Sequence, residues 1–345
     1  MEKLSRIGLD TSKAIFQLHG VDGLERVVLR RKLKRKEVLS FFASIAPTLV
    51  GLEASGGAHY WARELTRLGH SVRLLAPQYV KPYVKRGKND AADADAICEA
   101  MSRPRMGFVA VKSAENQAAL MLAGLRDRLV RNRVQLANAI RGYAAEFGVV
   151  AAKGRAKIEP LLLRLQVDET LPALARELFA EHAEEYAQLN AQLTAINAKL
   201  LAWHRANETS RRLAQIPGIG PVIASLLVMK TPDPRAFRSG RRYAAWLGLT
   251  PKDHSTGGKI RLGVITRAGD ETLRSLLVVG ATAVIWQARR NRDCRSASPW
   301  LVELLKRKPP KLVAVALANK IARVAWKLMT TGETYDARRA LPATT

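Results

Sequence analysis

The order of strand and helix signals in its first 112 residues constrains this 345-residue chain more than any other feature. Three short apolar or alternating runs, residues 5–10, 14–20 and 26–33, are parted only by turn residues and read as three strands. Helical periodicity follows over 35–44, then a strand at 48–52, a helix at 58–68, a strand at 71–75 and a helix from 90 to 101. Strands joined by tight turns pair antiparallel, and strands separated by a helix pair parallel. The expectation is one mixed sheet, an antiparallel meander extended by helical crossovers.

That order is the order of an RNase H-like (RuvC-like) α/β domain, placed at residues 1–112. Apolar residues then recur at spacings of mostly three and four, through Ala118, Leu122, Leu125, Leu129, Leu136, Ile140, Tyr143 and Phe147, and again through Leu174, Leu178, Leu189, Leu193, Ile196, Leu200 and Trp203. Two long amphipathic helices are expected, a coiled-coil hairpin or dimerisation element over 113–210, interrupted at 151–171 by Gly154 and Pro160. Residues 211–345 read as a mainly α domain with Gly-rich loops: a turn at 216–221 opening a helix, helices capped by Ser239 and Asp270, a loop or hairpin over 250–267, and a last helix near 312–330.

Charge separates the same three segments. The chain carries 57 Lys and Arg against 30 Asp and Glu, a net +27, divided as +9 over 1–112, +1 over 113–210 and +17 over 211–345. An excess of this size at both ends of a neutral middle points to a polyanion, above all nucleic acid. The most apolar stretch, residues 276–286, is too short to span a bilayer, and no secretory signal is evident. Cys98 and Cys294 stand too far apart in sequence to suggest a disulfide framework or a cysteine zinc site. A soluble, intracellular, cytoplasmic protein is the expectation.

Four carboxylates carry the first chemical signal. Asp10 ends the first predicted strand and Glu53 follows the fourth, its neighbour in an RNase H-like sheet. Asp90 and Asp93 open the last helix of the domain at i, i+3, on one face, whereas Asp95 points elsewhere. Packed against the sheet, that face brings four acids together, and two Mg²⁺ ions about 3.5–4 Å apart would offset their repulsion and serve phosphoryl chemistry. Each acid alone would ordinarily be a turn or helix-start residue. Lys81, Lys85, Arg86 and Lys88, with Tyr79 and Tyr83 interleaved, precede the aspartates in a pattern suited to a nucleic-acid strand or to a plain solvated loop.

The third segment carries two more signals. Pro217-Gly218-Ile219-Gly220, after Arg211 and Arg212, resembles a helix-hairpin-helix turn whose backbone N–H groups meet a DNA phosphate. Ser255-Thr256-Gly257-Gly258 places a hydroxyl pair on a flexible loop near His254, Lys259, Arg261 and Arg267. A hydroxyl so placed can attack phosphorus, although the composition is also that of an ordinary loop. The phosphate-binding pattern G-x-x-x-x-G-K-[ST] is absent here, so ATP hydrolysis has no support.

Taken in order, IGLDTSKAIFQLHG, GLEASGGAHYWARELTRLGH, KNDAADADAICEA, IPGIGPV, AFRSGRRYAAWLGLTPKDHSTGGKIRLG and VALANKIARVAWKL resemble the insertion-sequence transposases of the IS110 family, in particular its IS1111 group. The resemblance spans nearly the whole chain. It implies a DEDD carboxylate set at Asp10, Glu53, Asp90 and Asp93, a serine nucleophile, and guidance by an element-encoded bridge RNA that pairs with donor and target DNA. Alignment forward from Gly248 favours Thr256 as the nucleophile, and alignment backward from Ile265 favours Ser255; Ser255 carries the family's residue type. Arg211, Arg212, Gly218, Gly220, Arg241, Arg242, Lys259, Arg261 and Arg267 are candidate nucleic-acid contacts, and a homodimer or tetramer is implied. The rival expectations are a RuvC-like junction endonuclease using metal-activated water and a non-catalytic nucleic-acid scaffold.

Overall fold

The computed structural model describes residues 4–84, 90–290 and 298–336, and the chain divides into two compact units at residue 117. The first unit is built on a six-stranded sheet of order β3-β2-β1-β4-β5-β6. β1 (Leu4–Thr11), β2 (Ile15–Asp22) and β3 (Val27–Lys34) form the antiparallel meander that their short connections impose. Helix α1 (Val38–Ala43) carries the chain across to β4 (Leu49–Glu53), which lies parallel beside β1. Helix α2 (Ala58–Arg67) does the same for β5 (Ser71–Leu75), parallel to β4. Helix α3 (Pro77–Val80) precedes α4 (Asp90–Ala100), and β6 (Phe108–Val109) closes the edge antiparallel to β5. This is a mixed α/β sheet consistent with the RNase H-like expectation. The elements that the sequence does not announce are α3 and β6, four and two residues long, too short to show a period.

Each face of the sheet has its own core. Ile7, Leu9, Phe16, Leu18, Val50 and Leu52 pack with Phe42 of α1 and Trp61 and Leu65 of α2. The opposite face receives α4, and two glycines allow it to lie close. A Cβ on Gly8 would stand 2.1 Å from the Ala94 carbonyl oxygen, and one on Gly51 would stand 2.6 Å from Met101 Sδ. Helix α4 thereby lies across β1 through its backbone at Gly8, and across β4 through the Ile97 side chain and that of the following Met101 at Gly51.

Among its described residues, the second unit is helical apart from one hairpin. Helices α5 (Ala114–Glu146), α6 (Ile158–Val167) and α7 (Ala173–Ala206) share a core of Leu129, Leu136, Ile140, Leu161, Leu165, Phe179, Tyr186, Leu189 and Leu193. The predicted break at 151–171 contains α6, whose Leu161, Leu162 and Leu165 are buried. Leu174 and Leu178, expected in the apolar series, are exposed, because Phe179 and Tyr186 set the phase of the buried face of α7. Beyond them come α8 (Glu208–Leu213), α9 (Pro221–Lys230), α10 (Gly240–Trp246), strands β7 (Pro251–Asp253) and β8 (Leu262–Ile265), α11 (Glu271–Arg290), α12 (Pro299–Arg307) and α13 (Pro310–Thr331). The caps read from the sequence are made: Ser239 Oγ accepts from Arg242 N at 3.3 Å, and Asp270 Oδ1 accepts from Leu273 N at 2.8 Å. No described helix is long and apolar enough to cross a membrane.

Candidate active site

Asp10 and Glu53 lie at the end of the sheet where β1 and β4 run out together. The parallel register pairs Leu9 with Leu52, so Asp10 and Glu53 are the next residues of adjacent strands. Side chains alternate along a strand, so Asp10 shares a face with Gly8, and Glu53 with Gly51. Both therefore lie on the face that α4 covers, since α4 rests on those two glycines. Asp93 precedes Ala94, the residue seated over Gly8. Asp10, Glu53 and Asp93 are all half-buried. Asp95 turns away toward β2, where its Oδ1 lies 3.4 Å from His19 Nε2.

The electrostatics of this corner are set by burial and by the repulsion of Glu53 and Asp93. Burial pushes the Glu53 carboxyl above the ordinary range, and the charge of Asp93 raises it further. Hard carboxylate oxygens that repel one another at a partly dry position are the donor chemistry that suits a divalent cation. The residues present fit such a group in that respect. Among the described residues, no three His, Cys, Asp or Glu side chains stand close enough to share one ion. The backbone of Asp90 begins α4, one turn before Asp93, and its side chain lies outside the described residues. Lys85, Arg86 and Lys88 also lie outside them, and Lys81 is exposed in a short 3-10 turn.

The hydroxyl pair sits on an exposed hairpin, and the structure explains the double glycine. Thr256 N donates to Lys259 O at 3.3 Å and Lys259 N returns to Thr256 O at 3.0 Å, closing a two-residue turn. Its central residues Gly257 and Gly258 have φ of 54° and 76°, the left-handed pair that a tight hairpin turn requires. Thr256 is therefore a turn-closing residue. Ser255 lies one residue back from the tip. Its Oγ accepts from Arg261 N at 3.0 Å, and its N–H donates to Asp253 Oδ1 at 2.9 Å. The Ser255 hydroxyl, and then its N–H, hold the Asp253 carboxyl below the usual range. Asp253 is a partner that sequence reasoning missed; its spacing of two residues from Ser255 is the available signal. Lys259 and Arg261 are exposed between the turn and β8, and Arg267 follows β8 with φ of 56°.

The other predicted contacts separate into open and engaged positions. Gly220 caps α9, and a Cβ there would meet open space. Gly218 instead faces α11: a Cβ on it would stand 2.9 Å from Gly280 O. Its missing side chain thus serves backbone packing between the turn and α11. Arg211, Arg241 and Arg242 are exposed, whereas Arg212 donates to Gly332 O and to Thr209 Oγ1.

Comparison with known proteins is concordant along the chain. Residues 7–147 match a DEDD transposase profile of the IS110 type, and residues 210–295 match the family described as Transposase IS116/IS110/IS902. A Sinorhizobium fredii protein, y4pF/y4sB, carried under a transposase name, is 64% identical over 97% of this chain and 86% of its own length. The transposase for insertion sequence element IS1328 of Yersinia enterocolitica is 38% identical over 97% of this chain and 100% of its own length. The transposase for IS1111A of Coxiella burnetii is 37% identical over 97% and 92%.

Proposed function

This chain belongs to the IS116/IS110/IS902 family of transposases, enzymes that cut and rejoin DNA, and we propose that it does so through a carboxylate centre and a serine hydroxyl. The observation that carries the proposal is the register that sets Asp10 and Glu53 side by side beneath α4, with Asp93 raising the Glu53 carboxyl. The DEDD match brings a general dependence on divalent metal. Asp10, Glu53, Asp90 and Asp93 are the residues that would hold the cation, two Mg²⁺ ions in this reading. Bound there, the metal would supply charge stabilisation to a phosphate under attack.

The protein's own part in the reaction falls to the hairpin. Ser255 Oγ gives up its proton and attacks phosphorus; the Oγ–P bond forms, the bond from phosphorus to the sugar oxygen breaks, and that oxygen leaves as a hydroxyl with a proton in place of the phosphorus, so a phosphoserine link remains for strand exchange to resolve. Asp253 holds Ser255 through its N–H, and the exposed cations Lys259 and Arg261 flank the phosphate. Gly220 at the start of α9, with Arg211, Arg241, Arg242 and Arg267, adds phosphate contacts. An element-encoded bridge RNA selecting donor and target DNA, and assembly as a homodimer or tetramer, complete the reading. They are supported by the family resemblance and by a net charge of +27 suited to several nucleic-acid chains at once.

Asp10→Asn tests the carboxylate centre. Metal-dependent strand cleavage is expected to vanish while DNA binding persists; unchanged cleavage would contradict the assignment.

A further inference from the structure

The free edge of the N-terminal sheet carries a charge feature that the catalytic reading leaves unused. Of the seven residues 30–36, six are basic: Arg30, Arg31, Lys32, Lys34, Arg35 and Lys36. They lie on β3, the outermost strand, and the turn after it, and all six are exposed. None of the six forms an ion pair among the described residues. Glu37, the nearest acid in sequence, is occupied in capping the backbone N–H of Lys34 at 2.8 Å.

The two faces of β3 use these cations differently. Arg31 lies 5.3 Å above the Phe41 ring and Arg35 lies 5.0 Å above the Trp61 ring, so this pair covers the aromatic side of the core. Arg30, Lys32 and Lys34 alternate with them and fall on the opposite face, the one that α4 and the carboxylates share. The register fixes the relation: Lys32 pairs with Gln17, and Gln17 pairs with Asp10. Paired residues of neighbouring strands point to the same face, and strands are about 4.8 Å apart, so the backbone of Lys32 stands about 10 Å from that of Asp10. Arg30, in the same way, pairs with His19, and His19 with Gly8. Three unpaired cations, spaced about 6.8 Å apart along the strand, line one side of the approach to the carboxylates.

Resting on the DNA-cleaving reading above, we propose that this edge is a docking surface for the DNA strand processed at the carboxylates. Its phosphodiester backbone runs along Arg30, Lys32 and Lys34 as it enters or leaves the site. A lysine on an edge strand also discourages sheet-to-sheet pairing. That role needs one or two charges, and it does not require three on the face of Asp10.

The test measures binding in an Asp10→Asn background, so that cleavage does not enter. The probe is a fluorescein-labelled DNA duplex of about three helical turns, compared with single-stranded DNA and with a hairpin RNA of similar length. The variant is Arg30→Gln/Lys32→Gln/Lys34→Gln, and the control is Lys153→Gln/Arg155→Gln/Lys157→Gln, which removes equal charge from exposed positions elsewhere. For the edge variant, the slope of log affinity against log salt is expected to fall by about 2–3, at roughly 0.9 per lost duplex contact and 0.7 per single-strand contact. The control is expected to keep the parental slope, as is the charge-keeping variant Arg30→Lys/Lys32→Arg/Lys34→Arg. Unchanged DNA affinity in the edge variant would overturn the proposal. So would an equal loss in the control, a loss confined to RNA, or self-association with DNA binding intact. Failure of the carboxylate reading shows separately, as cleavage that survives Asp10→Asn.

Discussion

At the scale of the residue, the hairpin distinguishes two hydroxyls that alignment leaves equivalent. Thr256 closes the turn through its backbone, and Ser255 has its N–H and hydroxyl placed by Asp253 and Arg261. Ser255→Ala is expected to abolish recombination and leave nucleic-acid binding intact, whereas Thr256→Ala keeps activity; the reverse pattern in a plasmid recombination assay would move the nucleophile to Thr256. Asp253→Asn, which weakens the hold on Ser255, is expected to slow strand cleavage without changing DNA affinity. A second residue-scale expectation concerns His59. Its Nδ1 accepts from Lys112 N at 3.2 Å, and its Nε2 lies 2.8 Å from Lys112 Nζ. Burial, then the charges of Lys112 and Arg63, lower its pKa from 6.5 to about 4. The unfolded chain therefore takes up this proton first, so stability is full above about pH 6.5 and declines as pH falls toward 4. His59→Gln is expected to flatten that decline in urea unfolding across the window; an unchanged pH profile would contradict it. Neither pairing was legible in the sequence to the same degree. Asp253 stands two residues from Ser255, but Lys112 stands 53 residues from His59, and only the fold unites them.

At the scale of the element, what the sequence makes plain is what repeats along it. Alternation and short turns mark β1 to β3, three- and four-residue spacing marks α5 and α7, and cap residues mark α10 and α11. What escapes is short or non-local: β6 has two residues, and α6 and α12 have ten and nine between turn-forming segments. The close packing of Gly8 under α4 belongs to the second kind, because a glycine in a strand announces a close approach without naming the partner. Gly8→Ala forces a Cβ to within 2.1 Å of Ala94 O and must displace α4. A loss of about 1–3 kcal/mol is expected from overpacking. Cleavage is expected to fall further than the loss of folded protein explains, because Asp93 moves with the helix. Gly56→Ala meets open space and is expected to change neither. Retention of full cleavage by a folded Gly8→Ala protein would argue against α4 as the element that positions the acids. Gly218 teaches the converse lesson. Its sequence context points to phosphate, and its surroundings show Gly280 backbone in the space a side chain would take.

At the scale of the whole molecule, charge and chemistry coincide. The +9 and +17 segments are those that carry the carboxylates and the hydroxyl hairpin, and the near-neutral segment between them forms the long helices. A chain so charged is expected to bind nucleic acid with steep salt dependence, which equilibrium titration at several salt concentrations checks directly. The central claim is narrower: strand cleavage passes through a covalent bond from Ser255 to DNA. The direct measurement incubates the protein with labelled donor DNA, target DNA, the RNA from its genomic flank and Mg²⁺, stops the reaction with denaturant, and separates protein from DNA. The account predicts a labelled protein–DNA adduct whose modified peptide contains Ser255, lost in Ser255→Ala and in Asp10→Asn. Cleaved DNA with no adduct would contradict it and would assign the attack to water.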